Sequence, residues 1–241
     1  MKPKKKEIQK KLQFNEHLSE LVTRFYWCIG SFVLGSILGY LNYNFILNWL
    51  ISPCKRPLYY TSPTGGFESV LNIAIFSGII FAFPVLVFNL IKFIQPVNPK
   101  LENKKFLIYL FISFALSLLG ILLSYYVVFP ASLNFFDKFG SNQLGTIIST
   151  KDYFLFITKY LLGFALFFQL PLAIYFLSLF IKITPRILFK KIKYVIAVSF
   201  LVAAILTPTP DIVNQSIMAA PIIFLYLLSI LTIYIKEIIT K

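Results

Sequence analysis

Glu20 stands in the polar stretch 14–24, FNEHLSELVTR, with the only histidine, His17, three residues before it and Arg24 four residues after it. Read as a helix, the stretch has an apolar face from Phe14, Leu18, Leu21 and Phe25. A second face carries Glu16, Glu20 and Arg24. Asn15 suits an N-cap, with Glu16 favourable in the first turn. The basic run 2–11 precedes the stretch and apolar sequence follows it. An acidic face at a membrane surface is suited to receiving a cationic partner. The plainer reading pairs Glu20 with Arg24 as surface ions, worth about 0.2–0.5 kcal/mol.

Glu102 stands alone among Lys92, Lys100, Lys104 and Lys105. By itself it reads as a solvated residue offsetting local positive charge. Taken with Glu20, it offers a second carboxylate that accepts a guanidinium through two parallel hydrogen bonds, a geometry Arg fits better than Lys. An Arg-Arg segment is then a reasonable ligand for the pair. Gln169 lies in FFQLP. A buried amide in lipid needs a partner, and Pro171 frees backbone groups nearby. Gln169 therefore serves equally as local repair of a proline kink or as a docking point for a polar residue on another helix. Asp211, with Gln215 one turn on, is a functional candidate because intramembrane acids usually are. Asp before an apolar run is also a common N-cap, and that is the plainer reading.

No G-x-S-x-G, H-E-x-x-H or P-loop occurs, and one histidine builds no triad. The sequence therefore predicts no enzyme, no catalytic residue, no cofactor and no metal. Cys28 falls inside an apolar span and Cys54 in a loop, which gives neither a disulfide nor a metal pattern.

The elements that must position these residues are membrane spans. Only 13% of the 241 residues are charged and 58% are hydrophobic, whereas a soluble chain has about 25% charged. Six apolar segments are expected, at about 26–42, 70–91, 106–129, 154–183, 194–207 and 217–235, in one membrane domain spanning 1–241. The amphipathic segment 1–25 precedes them. The fifth is short, about 21 Å at 1.5 Å per residue, and ends at the proline-rich tip TPTPD. Segments five and six read as a short hairpin. Of 23 Lys and Arg, the five at Lys55, Arg56, Lys138, Lys151 and Lys159 fall outside when the N-terminus is placed inside. That asymmetry puts both termini in the cytoplasm. It also explains the net charge of +14 by topology, so nucleic acid is not an expected partner. Pro53, Pro84, Pro96, Pro130, Pro171 and Pro221 predict bent helices and a concave wall. A small-solute secondary transporter is the alternative, but no internal repeat supports it.

At this level of detail the chain resembles the TatC component of the twin-arginine protein translocase. The matching stretches, in order, are FNEHLSELVTR, FESVLNIAIFSGIIFAFPVLVFNLIKFIQP, LLGILLSYYVVFPASLNFF, FALFFQLPLAIYFL, ITPRILFKKIKYVI and AAILTPTPDIVNQSIMAAPIIFLY. The resemblance implies an all-α polytopic membrane protein of six transmembrane helices, glove-like and concave, with the last two helices short. It implies a receptor for folded cargo whose signal peptide carries Arg-Arg. The family's recognition glutamates fall on Glu20 and Glu102, with Phe93, His17 and Arg24 on the same surface. Its partner-docking polar residue falls on Gln169, and its polar tip on Asp211 and Gln215. Implied partners are single-span subunits of the TatA/TatB type, the bilayer, and further copies of this chain. Transport would draw on the proton gradient. The implied site is a bacterial cell membrane, with a plastid thylakoid membrane as alternative. The chain departs from the family at Val22, where Arg is common, at Gln169, where some relatives carry Glu, and in a tip one residue longer than LTPPD.

Overall fold

The computed structural model describes residues 3–54, 56–94, 103–138, 147–207 and 211–240. Helix α1 (Pro3–Leu41) is continuous over 39 residues, about 58 Å at 1.5 Å per residue. Pro3 opens it, where a missing N–H costs nothing, and the Lys, Glu, Gln and Leu that follow are good helix formers. Asn15 therefore lies inside α1 and does not cap it, a correction to the expected start. The chain then turns through α2 (Tyr43–Ile51) and β1 (Leu58–Tyr59) into α3 (Gly65–Ile94), which returns antiparallel to α1.

Small residues join α1 to α3. A Cβ added at Gly35 would stand 2.5 Å from the Phe81 Cβ, and one at Gly78 would stand 2.8 Å from the Phe32 carbonyl oxygen. Gly39 meets Ser77 as closely. Ser31 Oγ donates to the Phe81 carbonyl at 3.0 Å along the same seam. Lipid is as apolar as leucine, so helices in a membrane associate through such close packing and interhelical hydrogen bonds.

Helix α4 (Asn103–Leu123) passes through a π-helical turn at Ser124–Val128 into α5 (Phe129–Asp137). Gly120 lets α4 approach α6 (Thr150–Phe167), where an added Cβ would come within 2.6 Å of the Phe164 carbonyl oxygen. The stretch expected as span four is two helices, α6 and α7 (Leu170–Phe180), joined at Phe168 and Gln169. Pro171 supplies no N–H and crowds the preceding turn, so the break falls there. Helices α8 (Pro185–Leu206) and α9 (Ile212–Thr240) run antiparallel, and α9 extends beyond the expected 217–235 at both ends.

Among the described residues, five stretches are long and apolar enough to cross a membrane: Val22–Leu41, Gly65–Asn89, Leu107–Asp137, Thr150–Leu179 and Ile212–Ile238. Helix α8 is not among them, because Arg186, Lys190, Lys191 and Lys193 occupy its first half. The two ends of the bundle differ. At one, Leu50, Phe129, Phe154, Tyr160 and Phe164 are fully buried. There β1 pairs in parallel with β2 (Ile148–Ser149), Leu58 opposite Ile148 and Tyr59 opposite Ser149. The Tyr125 ring stacks on Trp49 at 4.3 Å and its hydroxyl donates to the Trp49 carbonyl at 2.6 Å. This is the capped end. The other, open end carries the polar half of α1, the end of α3, and the starts of α4 and α8.

Candidate functional site

Arg24 and Asn89 clasp α1 to α3 at the open end. Arg24 Nη1 donates to the Asn89 carbonyl at 3.3 Å, and Asn89 Nδ2 donates back to the Arg24 carbonyl at 3.3 Å and to Cys28 Sγ at 3.4 Å. Asn89 is buried, so the exchange satisfies polar groups that lipid would leave exposed. A cavity of about 750 Å³ opens beside the clasp, between α1, α3 and α4. Trp27, Pro84, Val85, Phe88 and Leu110 give it an apolar wall. At its mouth Lys92 Nζ sits 5.3 Å from the centre of the Phe88 ring, a cation–π distance.

The clasp fixes where the expected ligand-binding residues fall. Glu20 is one helical turn before Arg24 on α1, and His17 another turn out. Phe93 is one turn past Asn89 on α3. Because the helices are antiparallel, all three positions lie beyond the clasp at the open end. The side chains of Glu20, His17 and Phe93, and the whole of Glu102, lie outside the described residues.

Gln169 sits elsewhere, at the α6–α7 joint facing α4. Ser113 Oγ donates to its Oε1 at 2.9 Å, and its Nε2 donates to the Ser113 carbonyl at 2.9 Å and to Ser117 Oγ at 2.8 Å. Both amide protons are thus used within the chain, and Oε1 keeps a second lone pair. Tyr109, Ser113 and Ser117 follow at helical spacing down one stripe of α4, and the Tyr109 hydroxyl meets that of Tyr175 at 3.4 Å. Their i, i+4, i+8 spacing marks one stripe of α4, but nothing in the sequence says that this stripe faces Gln169.

Asp211 is at the capped end, far along the chain's fold from Glu20. Its Oδ1 accepts from the Asn214 N–H at 2.7 Å and its Oδ2 from Asn214 Nδ2 at 3.1 Å. It therefore caps α9, and the Gln215 N–H bonds to the Asp211 carbonyl at 3.1 Å in the first turn. Asn214 is fully buried. Lys236 was also missed. Its Nζ donates to the Ser178 carbonyl at 3.1 Å and Ser178 Oγ at 2.7 Å, closing the C-terminal end of α7. Among the described residues no three His, Cys, Asp or Glu gather as a metal site would need.

Long apolar helices, small-residue seams, one capped end and one polar end make this a polytopic helical membrane protein. Residues 16–221 match the model of the family described as Sec-independent protein translocase protein (TatC). The Sec-independent protein translocase protein TatC of Carboxydothermus hydrogenoformans is 34% identical over 218 residues, 89% of this chain and 90% of that one. The TatC of Helicobacter pylori (strain ATCC 700392 / 26695) is 37% identical over 216 residues, 89% of this chain and 85% of that one. A crystal structure of the twin arginine translocase receptor TatC in DDM superposes with a TM-score of 0.81 at 30% identity, covering 90% of this chain and 99% of that one. The chain belongs to the TatC family, components of a Sec-independent protein translocase.

Proposed function

We propose that this chain is the receptor subunit of a twin-arginine translocase, in one membrane domain with both termini and the open end in the cytoplasm of a bacterial cell. Glu20 and Glu102 receive the two arginines of a signal peptide, with Phe93, His17 and Arg24 shaping the surface around them. The observation that carries this reading is the Arg24–Asn89 clasp. It fixes α1 and α3 so that Glu20 and Phe93 are brought to the same end, one turn beyond it. The relative titled a twin arginine translocase receptor supports the same role.

The peptide's apolar part follows the concave helix wall. Gln169 docks a single-span subunit of the TatA/TatB type through the second lone pair on Oε1, and Asp211 and Gln215 hold the polar tip. Further copies of this chain join the complex, and the proton gradient drives transport. The chain itself performs no covalent chemistry.

The test is binding of an Arg-Arg signal peptide to the purified chain, with photoreactive groups at positions 20 and 102 and a Lys-Lys peptide as control. Charge-assisted hydrogen bonds are worth about 1.5–3 kcal/mol. Glu20→Gln and Glu102→Gln should therefore each weaken binding about tenfold or more. Full binding by either variant, or equal crosslinking to the Lys-Lys peptide, overturns the assignment.

A further inference from the structure

The cavity beside the clasp does not stop at the open end. A second cavity, about 350 Å³, lies deeper between α3, α4 and α6, lined by Ile80, Phe83, Phe114, Leu118 and Leu166, and Pro84 lines both. Pro84 lies inside α3, where its missing N–H opens the helical ladder, and it stands at the junction of the two cavities. The two cavities therefore follow one another as a groove along α3. From Lys92 down to Ile79, α3 covers about 20 Å at 1.5 Å per residue. One leaflet, headgroups included, is about 20–22 Å deep, half of a bilayer.

The deeper cavity is mostly apolar, with Ser117, already bonded to Gln169, as its polar lining residue. Among the described residues lining the upper cavity, the charged ones are Arg24 and Lys92, and Trp27 beside them is a residue favoured at a membrane interface. These two cations attract an anion, and Glu20 lies one turn further out on α1. We propose that this groove is a binding site for a phospholipid of the leaflet at the open end. Its anionic headgroup sits at Lys92 and Arg24, and one acyl chain runs past Pro84 toward Ile79. The site adjoins the one assigned to the signal peptide and shares Arg24 with it, but lipid retention is read without any peptide present.

The experiment retains lipid on the purified full-length chain from an equimolar mixture of phosphatidylglycerol and phosphatidylcholine with identical acyl chains, counted by native mass spectrometry. The expected result is preferential retention of phosphatidylglycerol. Lys92 is exposed, so Lys92→Gln leaves the fold intact. It should lower the preference about fivefold, the effect of one interfacial cation. Val85→Trp fills the groove and should reduce retention of both lipids together. Glycerol phosphate, the headgroup without chains, should fail to compete. Equal retention of the two lipids overturns the proposal, as does an unchanged preference in Lys92→Gln or effective competition by glycerol phosphate. A photoreactive group at Leu110 that captures signal peptide in place of an acyl chain also overturns it.

Discussion

Gln169, an amide that the sequence allows to be read two ways, gains a further role from its neighbours. Its three hydrogen bonds to Ser113 and Ser117 tie α4 to the α6–α7 joint. Hydrogen bonds between membrane helices are worth about 0.6 kcal/mol on average and up to about 1.7. Gln169→Leu should therefore lower unfolding stability in detergent by about 1–2 kcal/mol. Gln169→Glu should be milder at acidic pH, where a protonated carboxyl still donates one bond and accepts another. It should lose stability as pH rises through the variant's own pKa, because a carboxylate offers no proton to the Ser113 carbonyl. A pH-independent Gln169→Glu stability would contradict these contacts. The FFQLP motif pointed to a buried amide needing partners. It did not say which, because Ser113 and Ser117 lie more than 50 residues away. The Arg24–Asn89 clasp was illegible for the same reason: spacing along one helix reveals neighbours on that helix and nothing across to another.

At the scale of elements, the apolar runs announced the helices because a backbone in lipid has few other ways to satisfy its polar groups. Pro171 was legible as a kink within one span, but not as the joint between two helices that the structure shows. The π turn at Ser124–Val128 and the two-residue strands carry no comparable pattern. The α1–α3 seam makes a sharper claim about glycine. Gly78 faces the Phe32 backbone, which cannot rotate away, whereas an added Cβ at Gly30 would meet nothing within 4 Å. Gly78→Val should cost about 1–3 kcal/mol through overpacking. Gly30→Ala should leave the seam intact. The comparison is read by thermal unfolding in detergent, together with disulfide trapping between cysteines placed on α1 and α3. Equal effects of the two changes would mean that the seam does not hold the helices.

For the whole molecule, the contrast is between a locked end and an accessible one. Among the described residues, two ion pairs decorate the cap, Arg56–Asp137 at 3.1 Å and Lys151–Glu68 at 3.0 Å, but their side chains are a third to about half exposed. Such pairs contribute about 0–1 kcal/mol. The Tyr153 hydroxyl is different: it is buried and donates to the Leu50 carbonyl at 2.7 Å. Tyr153→Phe leaves that carbonyl unsatisfied and should cost about 1–3 kcal/mol. Arg56→Ala should cost less than 1 kcal/mol, and chemical denaturation of the two variants would rank them. The sequence pattern did separate the ends by charge, but not by rigidity, since the cap depends on contacts between distant loops. That distance has a consequence for biogenesis. The Tyr153–Leu50 bond joins residues 103 positions apart, and β1 must wait for β2. At about 5–20 residues per second, a ribosome takes roughly 5–20 s to deliver the second half after the first. During that interval α1 and α3 can already zip along their glycines while α2 and β1 sit without their lid. Newly made chains are then most vulnerable to proteases on the side where the finished protein is most firmly closed.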